Sequence, residues 1–109
     1  MNLLGRAEEL VLLAVWKLGE DAYCVPIKKH LVKTTGKDWV FGAVYAPLER
    51  LEKKGLLQSN LGDPTPERGG KRKRTYKLTK AGVKALIEVK KVEKAMWEDI
   101  SEGVLEKLI

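Results

Sequence analysis

Cysteine is nearly missing from this chain of 109 residues: Cys24 stands alone, so no internal disulfide framework can form. Histidine is as scarce, and a single His30 beside one cysteine offers no constellation for structural zinc. The chain also lacks a metal cluster, a phosphate-cradling Gly loop ending in Lys-Ser/Thr, and a nucleophile with an assignable base, all of which argues against an enzyme. No basic segment precedes an apolar run in the opening MNLLGRAEEL, and the longest uncharged apolar stretch, Leu10 to Trp16, is too short to span a bilayer. A soluble, unprocessed, cytoplasmic protein is expected, with no cofactor, no metal and no membrane partner. The length suffices for one modest core, so residues 1–109 read as one domain.

Acidic residues are absent where bases crowd. Seven of the 21 basic residues lie between Glu67 and Lys80 against the single acid Glu67, and this stretch carries the whole net charge of +6. A charge excess confined to one short segment suits an edge that touches a polyanion, and nucleic acid is the leading candidate. The competing reading is a solvated loop that only keeps the protein in solution.

Apolar spacing predicts the elements. Leu3, Ala7, Leu10, Ala14 and Leu18, widened by Val11 and Val15, predict a first helix closed by Gly19. A second helix is predicted over Ala22 to Thr34, with Pro26 near its first position and Ile27 and Leu31 on one face, ending in a turn at Gly36. In the third, Phe41 to Lys54, Val44, Leu48 and Leu51 form a core stripe. Gly42, Ala46, Glu49 and Lys53 lie opposite, with Tyr45 and Arg50 on the flanks. Pro47 inside it predicts a kink or a late start. Leu57, Ser59 and Leu61, then Tyr76 and Leu78, alternate as two strands around a long hairpin tip, Gly62 to Lys73, rich in Pro and Gly. Thr79 is a candidate N-cap for a last helix of more than twenty residues, roughly, with a break or fraying near Gly103. Its stripe of Ala85, Val89, Val92, Met96 and Ile100, extended by Leu86, Trp97, Val104 and Leu108, exceeds what so small a core can cover.

Helix, helix, turn, helix, hairpin, long helix is the order of a winged helix-turn-helix (α-α-α-β-β-α), a mainly α fold with a small β-hairpin. A helix enters a major groove when its leading face is small or polar and its other face is anchored, and the third helix has that division. The chain resembles the PadR-like transcriptional regulators. The likeness rests on Glu9-Leu-Val-Leu-Leu-Ala-Val, Asp21-Ala-Tyr23 with Pro26-Ile27, Phe41-Gly-Ala-Val-Tyr45, Leu48-Glu-Arg-Leu-Glu-Lys-Lys-Gly55-Leu, Gly69-Gly-Lys-Arg-Lys-Arg-Thr-Tyr76-Lys-Leu-Thr79 and Ala81-Gly82. It departs at Cys24, where a glycine is usual, at Pro47, one residue later than the common proline, and after Leu86, where the tail is short for a dedicated effector domain.

The resemblance implies a homodimeric repressor on a pseudo-palindromic double-stranded DNA operator. The helix-turn-helix and wing would occupy 1–79, and 80–109 would form the long C-terminal dimerisation helix. DNA contacts are expected from Lys37, Phe41, Gly42, Tyr45, Ala46, Arg50 and Lys53 around the recognition helix and from Arg68, Lys71, Arg72, Lys73 and Arg74 in the wing. Val89, Val92, Met96, Trp97, Ile100, Val104 and Leu108 are expected at the dimer interface. Bland readings stand beside these. Tyr45 is either a core aromatic or a DNA contact. Arg50 and Lys53 either meet phosphates or pair with Glu49 or Glu52. Cys24 is a half-buried apolar residue rather than a redox sensor, although Lys28, Lys29 and His30 could lower its pKa, and His30 lies at the surface or rim. Trp97 with Met96 and Ile100 packs an interface or lines a site for a small apolar effector, and Trp16 and Trp39 pack in the core or between subunits. The alternative function is a winged-helix protein-interaction module without DNA specificity.

Overall fold

The computed structural model describes residues 3–63 and 72–109. Most of the predicted hairpin tip, including Pro64, Pro66, Gly69 and Gly70, lies outside the described residues. Helix α1 (Arg6–Leu18) starts where the Glu8 carboxylate turns back to accept the Gly5 N–H at 2.9 Å, satisfying one donor that the first turn leaves orphaned. It ends at Gly19, as the spacing predicts, and a 3-10 turn, Gly19–Asp21, leads to α2 (Cys24–Thr35). Pro26 is the third residue of α2 rather than the first, still within the first turn, whose N–H groups have no intrahelical partner.

Gly36 closes α2 in the left-handed region (φ 72°), a conformation that a Cβ penalises. Beside it, the Thr35 hydroxyl donates to the Leu31 carbonyl at 2.7 Å and accepts from the Lys37 N–H at 3.2 Å and the Trp39 Nε1–H at 3.0 Å. One side chain thus fixes the turn that aims α3 (Phe41–Lys53). The helix begins on time and continues through Pro47, so the expected late start does not occur. Pro47 is buried, and its ring fills the core beside Val44 and Leu48, which offsets part of the roughly 3 kcal/mol that an interior proline costs.

The core has α1 at its centre: Val11, Leu12, Ala14 and Val15 meet Ile27 and Leu31 of α2, Val44, Leu48 and Leu51 of α3, and Leu57 and Tyr76 of the hairpin. Strands β1 (Leu57–Leu61) and β2 (Arg74–Leu78) pair antiparallel with Leu57 opposite Leu78, Ser59 opposite Tyr76 and Leu61 opposite Arg74. The alternation anticipated the two strands, and the structure supplies their register. The outer edge of β2 is fastened to the start of α2, the Tyr76 N–H donating to the Ala22 carbonyl at 2.8 Å and Tyr23 bridging Thr75. Burial pushes the Tyr76 hydroxyl up to about 12, which keeps this core residue neutral. Trp39 packs against the core, but Trp16 does not: 63% of it is exposed.

Thr79 caps α4 (Lys80–Trp97) by accepting the Gly82 N–H at 3.1 Å. The helix has 18 residues and stops earlier than the apolar stripe implied. Asp99 adopts φ 65°, and Ser101 then caps a separate short helix, α5 (Glu102–Glu106), through its hydroxyl and the Val104 N–H at 3.2 Å. The break therefore falls at Asp99, Gly103 lies inside α5, and residues 80–109 form two helices instead of one. Among the described residues no helix is long and apolar enough to cross a membrane. The molecule is a winged helix with a projecting arm: it measures 55 × 30 × 20 Å, and its radius of gyration of 16.3 Å exceeds the about 13 Å of a compact chain this long.

The arm is rooted at Gly82, where a Cβ would collide with the Leu56 carbonyl. Gly82→Ala must therefore push α4 off the α3–β1 turn. Chemical denaturation should register a loss of about 1–3 kcal/mol with the slope unchanged; parent-like stability would contradict this packing.

Candidate nucleic-acid interface

Helix α3 divides as its sequence does. Val44, Leu48 and Leu51 are fully buried, while Gly42, Ala46, Glu49 and Lys53 are exposed on the opposite side. Small residues lead and a charged turn follows, which leaves a face that can approach another surface closely. Lys37 is exposed in the preceding turn. Phe41 and Tyr45, each 46% exposed, flank this face toward the hairpin.

That flank opens into a cleft of about 270 Å³ lined by Tyr23, Cys24, Phe41, Tyr45, Arg72 and Arg74, among others. Three elements meet there: the start of α2, the first turns of α3 and the root of the wing. The Lys28 ammonium sits 4.5 Å from the centre of the Phe41 ring, and that of Lys73 sits 4.5 Å from the Tyr23 ring. Cys24 is buried beneath. Burial pushes its thiol up, and the hydrogen bond from Tyr45 and the charge of Lys28 offset this only in part. A raised thiol pKa argues against a reactive sensor. The hydrogen bond places the Tyr45 hydroxyl toward Cys24, with one side of the ring at the surface.

The wing root is built to hold still. Arg72 Nε donates to the Gly62 carbonyl at 2.9 Å, and the Gly62 N–H donates to the Lys73 carbonyl at 2.8 Å. Arg74 Nη1 donates to Ser59 Oγ at 2.9 Å, and Ser59 Oγ donates to Glu52 Oε2 of α3 at 2.6 Å. Arg72 and Arg74 are exposed and Lys73 is half-buried. Arg68 and Lys71, expected in the same group, lie outside the described residues.

Arg50 makes neither of the helical ion pairs weighed for it. Its guanidinium pairs with neither Glu49 nor Glu52 but turns toward α1, 3.6 Å from Glu8, and Lys54 Nζ donates to the same carboxylate at 2.8 Å. Glu8 is 5% exposed. Burial alone would raise its pKa, but the hydrogen bonds from Lys54 and the Gly5 N–H and the charges of Lys54 and Arg50 outweigh that and hold it below its ordinary value. Spacing could hint at the Gly5–Glu8 cap, but not at Lys54, 46 residues away. Lys28, Tyr23, Ser59 and Glu52 were missed as site residues too, because spacing that puts a residue on a helix or strand does not say which distant side chain it meets.

On the far side, Val89 and Val92 are half-buried, while Met96, Trp97, Ile100, Val104 and Leu108 are exposed on α4 and beyond. A groove of about 1340 Å³ runs between the start of α1 and α4, lined by Leu3, Leu4, Val89, Val92, Met96 and Trp97 among others.

Comparison with known proteins places this geometry. The profile of the transcriptional regulator PadR-like family matches residues 12–88. Among solved structures, a PadR family transcriptional regulator from Eggerthella lenta is 31% identical, with a TM-score of 0.62 over 91% of this chain and 80% of that one. A PadR family transcription regulator from Clostridium difficile is 27% identical, with a TM-score of 0.67 over 93% of this chain and 99% of the other. A transcriptional regulator from Clostridium thermocellum, at 21% identity and a TM-score of 0.69 over 94% and 91%, shares the fold. No curated protein matches the chain.

The Glu8 cluster sets a pH dependence. A carboxylate whose folded pKa is depressed contributes stability in full above its unfolded value, near 4.5, and loses it as pH falls through the folded value. Glu8→Gln keeps an acceptor for Gly5 and removes the charge. At neutral pH it should be less stable than the parent by about 1 kcal/mol, with half-exposed Lys54 and Arg50 limiting the effect. Urea titrations should show the gap closing as pH falls below about 4.5; a gap independent of pH would remove the ion pairs from the account.

Proposed function

Because this chain belongs to the PadR-like family of transcriptional regulators, and is a regulator rather than an enzyme, we propose that it acts in the cytoplasm as a homodimeric repressor on pseudo-palindromic duplex DNA. The observation that carries this reading is the juxtaposition on one side of the molecule of the small-faced half of α3, the start of α2 and the basic root of the wing. Gly42 and Ala46 let α3 approach base edges, with Phe41 and Tyr45 beside them. Lys37 and Lys53 meet phosphates at its two ends. Arg72, Lys73 and Arg74, with Arg68 and Lys71, bring the wing to the backbone or the adjacent minor groove, where a narrow groove favours Arg. Arg50 serves mainly to anchor α3 through Glu8.

Exposed apolar surface supports the dimer. Met96, Trp97, Ile100, Val104 and Leu108 are 46–79% exposed, and the groove beside α1 offers apolar surface to match. At about 1340 Å³ that groove is larger than an ordinary small-molecule site. We assign it to a second copy rather than to an apolar effector. Two recognition helices then meet successive major grooves about 34 Å apart.

Selection of bound fragments from a random duplex pool at fixed salt should enrich a palindrome with that spacing. No enrichment would favour a protein-interaction module instead. If each protomer neutralises about three to five phosphates, affinity should fall by about three to five decades between about 50 and 200 mM salt. Neutralising Lys71, Arg72, Lys73 and Arg74 together should flatten the slope; an unchanged slope would remove the wing from the mechanism.

A further inference from the structure

The hairpin is fastened to the helix-turn-helix on two sides that differ in kind. Along β2 the fastening is backbone, through Ala22 and Tyr23 at the start of α2. Along β1 it is the side-chain relay Arg74–Ser59–Glu52, whose links of 2.9 and 2.6 Å run from the wing root across the hairpin to α3. On the core-facing side of the hairpin, Leu57 and Leu78 pair first, then Ser59 and Tyr76, then Leu61 and Arg74. Apolar packing holds the first pair, and Tyr76 is buried in the second. Beyond Tyr76 the next pair, Leu61 and Arg74, is exposed, and the relay takes over where the core stops.

Glu52 makes the relay more than a surface hydrogen bond. It lies on the flank of α3 shared with Phe41 and Tyr45, where a carboxylate repels a duplex rather than attracting it. No salt bridge is recorded for it among the described residues. Its hydrogen bond to Ser59 ties the end of the recognition helix to β1, and through Arg74 to β2.

We propose that the Glu52–Ser59–Arg74 relay fixes the pitch of the wing against the recognition helix, with Ser59 as the positioning residue that sets where the wing meets the duplex. This rests on the reading of the chain as a DNA-binding regulator. Glu52 orients, Ser59 relays, and Arg74 is held at the root while the residues nearer the tip make the outer contacts. Helix and wing then act as one reading head whose register along DNA is built in.

The full chain, bound to the duplex enriched from the random pool, should be mapped by hydroxyl-radical footprinting and by affinity at several salt concentrations. Ser59→Ala, which removes both exposed links of the relay, should weaken binding by about three- to tenfold. It should also lose or shift protection in the flanking, wing-facing segment while the central segment keeps its own. Ser59→Thr should restore both. Glu52→Ala is the decisive variant. If Glu52 only repels DNA, removing it strengthens binding and leaves the footprint alone; if it positions the wing, flanking protection is lost as in Ser59→Ala, and the double variant adds little to either. Glu52→Gln, which keeps the acceptor, should keep the footprint.

Parent-like footprints for Ser59→Ala and Glu52→Ala would overturn the inference. So would a uniform loss of affinity that tracks a lower Tm with no redistribution of protection. If the parent protein protects no duplex, the regulator reading itself fails and this inference falls with it, a result distinct from parent binding with unchanged variants.

Discussion

Everything that this molecule presents to another surface depends on one side of α3 being locked into the core. Val44, Pro47, Leu48 and Leu51 are buried against α1, so the small outer face of the same helix stands clear of the protein. A helix held by fewer side chains could not keep Gly42 and Ala46 at the front, since Gly42 is a weak helix former and Pro47 removes a backbone hydrogen bond within the same helix. Burial of about 1.5–3 kcal/mol for each large apolar side chain outweighs those local penalties. Tertiary packing, not propensity, makes this helix.

Two polar devices then fix its orientation from opposite flanks. Glu8, buried beside α1, gathers Lys54 and Arg50 from one flank, and Glu52 reaches Ser59 of β1 from the other. The turn before the helix is set by Thr35, which serves three partners. The apolar core sets the depth of the helix, and these contacts set its rotation and tilt. Each carboxylate flanking the exposed face of α3 is already committed within the protein.

Much of this architecture was legible in the residues, and the reason is periodicity. The 3.6-residue stripe of Val44, Leu48 and Leu51, the alternation of Leu57 with Tyr76 across the hairpin, and Gly19 and Gly36 as helix ends all express local geometry that neighbours in sequence dictate. Family likeness then raised a helical arrangement to a specific fold. What stayed hidden depends on partners far apart in the chain. Arg50 faced Glu8 rather than its helical neighbours because a buried carboxylate attracts a cation more strongly than an exposed one. The end of α4 at Asp99 was also hidden, since its apolar stripe runs on past a break that only the backbone and the Ser101 cap reveal. Pro47 misled for a related reason: its cost is local, and its compensation is in the core.

The root of α4 has a mechanical corollary. Thr79 donates its hydroxyl to the Gly55 carbonyl at 2.6 Å and its N–H to the Leu56 carbonyl at 3.1 Å, and Gly82 presses on the same peptide. The projecting arm is thus hinged on the very residues that follow the end of α3. At about 1.5 Å per residue the arm is a lever roughly 27 Å long, so a small angular error at its pivot grows into ångströms at its far end. Where the end of the arm lies is therefore decided at the pivot, by Gly55, Leu56, Thr79 and Gly82, far from the residues it displaces.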